Sequence, residues 1–139
     1  MADTVTSQTM IDTAGTKTVM KFTNISDGSG ETLVTKMDAS ELVHMSEDGT
    51  KSITQIWWNC NTQSANAGVE VIWAGSGTSA ANATAIFLSG QGYWDLYSQG
   101  NSILNNATLE TSTSPAGDIL FNTKGFTTSD TYTIIIEVR

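Results

Sequence analysis

The sequence is short of the residue types on which most recognisable chemistry depends. It has one cysteine, one proline and one histidine among 139 residues. A lone Cys60 cannot close an internal disulfide, which fits folding in a reducing compartment. Positive charge is scarce as well. Five lysines and one arginine stand against 14 acidic residues, for a formal net charge of −8. Nucleic-acid binding and adhesion to an anionic membrane surface both need clustered cations, so no nucleic acid and no membrane are expected as partners. No apolar run approaches the roughly 20 residues of a spanning helix. Met1-Ala2-Asp3-Thr4 offers neither a basic nor an apolar leader segment, which predicts no secretory signal. The Asn-x-Ser/Thr triplets at Asn24, Asn82 and Asn106 are then expected to be chance occurrences. Leu, Ile, Val and Phe together number 29. That is about a fifth of the chain, just above the level that marks disorder.

In their place stand 22 Thr, 15 Ser, 12 Gly and 9 Asn, with 14% charged residues. The chain is polar without being charged, and its length suits one domain over residues 1–139 with a lean core. Period-two alternation recurs along it, whereas helical periodicity is nearly absent. In 16–25 it puts Met20 and Phe22 opposite Lys17, Val19 and Lys21. In 51–60 it puts Ile56, Trp58 and Cys60 opposite Gln55, Trp57 and Asn59. In 68–74 it puts Val69, Val71 and Trp73 opposite Glu70 and Ile72. In 131–139 it puts Tyr132, Ile134, Ile136 and Val138 opposite Thr133, Ile135, Glu137 and Arg139. Shorter runs at 4–10, 31–37, 83–88, 92–97 and 118–123 bring the candidate strands to about nine.

Asp27-Gly28-Ser29-Gly30, Asp48-Gly49, Gly75-Ser76-Gly77, Gly90-Gln91-Gly92 and the single Pro115 beside Gly117 read as the turns between them. Asp38-Ala39-Ser40-Glu41 has capping-box spacing and predicts one helical turn. The expected fold is all-β, a single sandwich of jelly-roll type with about eight to nine antiparallel strands.

Catalytic patterns are sparse, and no enzymatic activity is expected. His44 lies in Leu42-Val43-His44-Met45-Ser46 without metal-spaced ligands and reads as solvated or structural. Cys60 shares an apolar face with Trp58 and reads as a buried small hydrophobe, since reactive thiols need cationic surroundings. Asp27-Gly28-Ser29-Gly30-Glu31 places oxygens as the opening of a calcium loop does. The sixth position is Thr32 rather than Gly, however, and the twelfth lacks the bidentate Glu, so a hairpin turn is expected. Glu47-Asp48-Gly49 reads the same way. No metal and no cofactor are expected.

Aromatic residues carry the remaining signal. Neighbouring Trp57 and Trp58 must point to opposite faces of a strand. Gln55 and Asn59 beside it mark Trp57 as the outward one. Such a side chain suits a subunit contact, a sugar-stacking platform, or burial beneath a loop of the same chain. Val19, Ile72 and Ile135 also point outward by alternation, which implies a second covering surface and hence an oligomer. The candidate interface residues are Trp57, Gln55, Asn59 and Ile72, with Val5 in the Thr-rich segment Ala2–Ile11, which can add to a neighbour's sheet edge.

Residues 18–31 (Thr-Val-Met-Lys-Phe-Thr-Asn-Ile-Ser-Asp-Gly-Ser-Gly-Glu), 117–125 (Gly-Asp-Ile-Leu-Phe-Asn-Thr-Lys-Gly) and 130–137 (Asp-Thr-Tyr-Thr-Ile-Ile-Ile-Glu) resemble small virion structural proteins of marine tailed phages. The resemblance implies a capsid-associated part made in the bacterial host cytoplasm and carried on the virion. It would be a decoration (cement) protein on the head, or else a neck or tail component. The expected partners are the major capsid protein or other virion proteins. The expected assembly is a cyclic homo-oligomer, a trimer first, over threefold or quasi-threefold capsid positions. No catalytic residue carries over. The alternative function is a glycan-binding adhesin on the head or tail.

Overall fold

In the computed structural model, residues 3–46, 51–75, 82–98, 102–104 and 118–139 are described. Glu47-Asp48-Gly49 and Pro115 lie outside them. Among the described residues ten strands follow in chain order: β1 (Thr4–Thr13), β2 (Lys17–Ile25), β3 (Val34–Met37), β4 (Ser52–Asn61), β5 (Gly68–Trp73), β6 (Ala83–Leu88), β7 (Gln91–Asp95), β8 (Ile103–Leu104), β9 (Ile119–Lys124) and β10 (Thr131–Val138). The one helical turn among the described residues is a 3-10 turn, Ala39–Glu41. Its N-cap Asp38 accepts a bond from the Ser40 N–H. The third strand begins at Val34 rather than at residue 31, because Leu33 sits at φ +49°, a left-handed conformation that interrupts an extended run.

The strands form two antiparallel sheets. One runs β1-β2-β10-β4-β7, with β8 also paired to β4, and the other runs β3-β9-β5-β6. Eight of the strands pair as nested partners. β2 pairs with β10, β3 with β9, β4 with β7, and β5 with β6. The nesting is that of one long hairpin rolled into two sheets, which is the jelly-roll winding the sequence led one to expect. β1 is an addition that extends the first sheet past β2.

The alternating apolar residues meet between the sheets. Phe22 on β2 and Tyr132 on β10 both pack edge-to-face on Phe121 of β9, at 5.2 and 5.7 Å between ring centroids. Trp73, Ile134, Ile136 and Phe121 are completely buried in this layer. Cys60 is buried there too, and desolvation pushes its thiol up to about 11, so it behaves as the small hydrophobe the sequence suggests. Trp58 also turns inward. Its indole N–H donates to the Ser89 carbonyl at 3.0 Å, and its ring lies where a Cβ on Gly92 would come within 2.5 Å. Gly92, its cross-strand partner, is thus the residue that leaves room for the ring.

A polar cluster penetrates the same interior. Glu31 accepts from the Tyr132 hydroxyl at 2.6 Å and from Asn24 Nδ2 at 2.9 Å, and it pairs with Lys36 Nζ. Burial first, and then the Glu31 carboxylate, push the Tyr132 phenol above its ordinary range, so it stays a donor. A second buried carboxylate, Glu137, bonds the Thr54 hydroxyl at 2.8 Å and Lys17 Nζ at 3.1 Å, with Arg139 Nε at 3.5 Å. Burial alone would raise its pKa. The bonds from Thr54 and Lys17 and the two cations outweigh that and hold it below the usual range.

A depressed native pKa contributes stability above the unfolded value and loses it as pH falls through the native one. Stability should therefore drop on acidification through the carboxylate range, and Glu137→Gln should flatten that drop while lowering stability near neutrality. Asp118 acts in the opposite sense, since burial lifts its pKa and acidification then favours the fold. Urea midpoints of the wild type and Glu137→Gln across that range measure the effect. Parallel curves would contradict it.

Candidate functional site

The outer face of the first sheet, turned away from the second, gathers the residues that sequence reasoning placed outward on β4. Register sets them beside a matching row on β7. Asn59 pairs with Gln91, Trp57 with Tyr93, and Gln55 with Asp95. Residues two apart share a face, so these six side chains form a grid three rows long and two strands wide. An aromatic pair sits in the centre, amides lie at one end, and an amide with a carboxylate lies at the other.

The central pair is ordered. Trp57 and Tyr93 stack with ring centroids 5.0 Å apart and planes 18° from parallel. Offset-stacked aromatics at this spacing are a favourable arrangement worth about 0.5–1.5 kcal/mol beyond their burial. Trp57 is half-buried, and Tyr93 is 49% exposed. β7 is the last strand of its sheet on this side, so the Tyr93 ring face turned away from Trp57 meets no further described strand. On the other side Trp57 faces Ile135 across the β10 pairing. A shallow depression of about 300 Å3 is lined by Trp57, Trp58, Asn59, Gly92, Thr133 and Ile135.

The carboxylate end is also held in place. Asp95 Oδ1 accepts the Ser98 N–H at 3.1 Å and Gln55 Nε2 at 3.3 Å. The Ser98 bonds foremost, and then those from Tyr93 and Gln55, keep its carboxyl below the usual range, so it is an anion at neutral pH. Partial desolvation first, and then the charge of Asp95, raise the Tyr93 phenol, which stays protonated.

Other candidates from the sequence fall elsewhere. Val5 is 45% exposed on β1, at the opposite edge of the sheet, where it pairs with Asn24. Ile72 is corrected: it lies on the outer face of the second sheet, as alternation requires, yet it is 5% exposed. Its cross-strand neighbour Leu120 is equally buried, so Ile72 is covered by its own chain and leaves the interface set. Val19 is likewise buried rather than exposed, between Ile11 and Glu137 on neighbouring strands.

His44 is buried rather than solvated. Its backbone N–H donates to Asp12 Oδ1 at 3.0 Å, beside the Val43 N–H at 2.7 Å and the Thr18 hydroxyl at 3.0 Å. Asp12 thereby ties the β1–β2 hairpin to the segment after the 3-10 turn.

The Asp27–Glu31 loop is a turn with its amides inward, the reverse of a cation cradle. The N–H groups of Asp27 and Gly30 donate to Asp3 Oδ1 at 3.0 and 3.3 Å, and that of Ser29 donates to Asp27 Oδ1 at 3.0 Å. Among the described residues, no group of three His, Cys, Asp or Glu gathers as a metal site.

Sequence reasoning missed Gln91, Tyr93 and Asp95. Their own alternation would have placed them on one face, but Gly90-Gln91-Gly92 read as a turn, whereas β7 begins at Gln91. No family model, no curated protein and no solved structure matches the chain.

Proposed function

We propose that this chain is a non-enzymatic structural component of a phage particle, a decoration (cement) protein that docks on the head as a homo-oligomer. The observation that carries the reading is the open edge at β1. Among the described residues, this ten-residue strand pairs with β2 alone, and nine of its ten residues are exposed. Proteins normally blunt such an edge with Lys, Pro or a very short strand. β1 has neither residue type, is long, and shows Val5, Met10 and Ile11 at 45, 50 and 39% exposure. Its blunting devices are the bulge between Thr9 and Ile11 and a single charge, Asp12, whose carboxylate is engaged by Val43 and His44. A free strand of this kind pairs with a neighbouring chain, main chain to main chain. Beside it, a cleft of about 460 Å3 opens between Ser7, Thr9 and Met20 on one side and Thr35, Lys36, Asp38, Glu41 and Leu42 on the other.

Charge and fold agree with the role. A net charge of −8 keeps many copies soluble and repels packaged DNA. Jelly rolls recur in viral capsid proteins, although fold by itself does not specify function. The virion assignment rests on the resemblance of residues 18–31, 117–125 and 130–137 to virion proteins, and the edge supplies the means of attachment.

Val5→Lys and Ile11→Lys place a charge on the edge at exposed positions. Light scattering and co-sedimentation with particles lacking the chain test the proposal. The wild type should run as an oligomer and bind, and the two variants should lose binding by about tenfold or more while still unfolding cooperatively. A wild type that stays monomeric and does not bind, or variants that assemble as well as the wild type, would overturn it.

A further inference from the structure

We propose that the Trp57–Tyr93 grid is a binding site for a neutral carbohydrate, with the aromatic pair against the apolar face of a sugar ring and the flanking amides and Asp95 on its hydroxyls. The site is distinct from the β1 edge and stands independently of the virion reading.

The shape fits an extended, narrow ligand. Same-face residues recur about every 6.7 Å along a strand and about 4.8 Å across strands, so the six side chains cover a strip about 13 Å long and one strand spacing wide. Polar pairs close both ends of the strip, Asn59 with Gln91 and Gln55 with Asp95. A dry protein–protein hot spot has its apolar anchors ringed by further contacts that exclude water. Here the apolar part is confined to Trp57, Tyr93 and Ile135, and it is bordered by Asn59, Gln91 and Thr133, all exposed.

The chemistry selects among small ligands. Carboxamides donate and accept at once, and an ionised carboxylate accepts two or more bonds. Adjacent hydroxyls on a sugar supply both donors and acceptors and match that set, whereas a hydrocarbon chain would strand it. Asp95 is already fixed by Ser98 and Gln55, so little side-chain freedom is lost when a hydroxyl arrives.

Charge disfavours acidic glycans, phosphates and sulfates. The cations nearest the Gln55 end, Lys17 and Arg139, are paired with Glu137, the cross-strand neighbour of Gln55. Lys21 is the cross-strand neighbour of Ile135, two strands from Trp57. An anion on the grid would face Asp95 in a chain of net charge −8.

The test titrates the purified full chain with neutral oligosaccharides (cello-, malto-, manno- and laminari-oligomers) and with a heparin oligosaccharide, reading tryptophan fluorescence and amide NMR shifts. At least one neutral oligomer should bind saturably at millimolar concentration or below, with shifts centred on 55–59 and 91–95. Trp57→Ala and Tyr93→Ala should each weaken binding by about tenfold or more. Asn59→Ala and Gln91→Ala, at exposed positions that do not threaten the fold, should weaken it by a smaller factor. Particle docking and oligomeric state should not change in any of the four. No saturable binding of any neutral oligomer, binding that all four variants retain, or tighter binding of heparin would overturn the site. So would a Trp57→Ala chain that loses its oligomeric state. None of these results bears on the β1 edge, and failure of β1 docking would leave the sugar titration intact.

Discussion

Lys36→Met should destabilise the protein by about 3–5 kcal/mol, because it leaves a carboxylate in the interior without its cation. The side chains of Lys36 and Glu31 are 7 and 6% exposed, and they form an ion pair. The Tyr132 and Asn24 bonds to Glu31 remain after the substitution, but they are neutral donors and cannot cancel a full charge. The double variant Lys36→Met with Glu31→Leu should recover much of the loss. A buried pair replaced as a whole by apolar groups is often neutral, whereas a broken one is not. Urea unfolding of the wild type, both single variants and the double variant closes the cycle. A single-variant cost below about 1 kcal/mol would mean that the pair behaves like a solvated one.

Phe121→Ala should cost about 3–5 kcal/mol, the range for emptying a buried aromatic site. Phe121 is completely buried on β9 and meets Phe22 and Tyr132 of the opposite sheet in edge-to-face pairs. Lys36 Nζ lies 5.9 Å from its ring centroid, so the apolar layer and the polar cluster share this one side chain. Domains of this kind have about 5–15 kcal/mol of stability in total. With 29 large aliphatic and Phe residues in 139, this chain has little to replace the loss. Thermal unfolding should shift down by many degrees, whereas Val43→Ala, at a position 52% exposed, should stay within about 0.5 kcal/mol of the wild type. Equal effects at the two positions would contradict the packing described.

Where sequence reading succeeded and failed follows from what alternation can and cannot report. It sorted the two faces of β4 correctly, because Ile56 and Cys60 against Gln55, Trp57 and Asn59 is information carried within one strand. The same rule placed Ile72 outward and took outward to mean exposed. Ile72 pairs with Leu120, a neighbour nearly 50 positions away that only register brings alongside, and both are buried. Glu31 was legible merely as part of a calcium-like fragment. Acids are rarely buried, and its three partners come from β2, β3 and β10. The grid was half legible for a similar reason: β4 announced its row, but the facing row on β7 was hidden by a glycine pair that looks like a turn. Gly92 serves the Trp58 ring instead. The two-residue β8 is too short to leave any pattern.

Locating the chain on the particle is the most direct test of the proposed role as a docked virion component. A reconstruction of the purified virion should show this jelly roll on the head surface at threefold or quasi-threefold positions. β1 should lie against a neighbouring chain, and the Trp57–Tyr93 face should be turned to solvent. Particles whose protein inventory lacks this chain altogether would contradict the account.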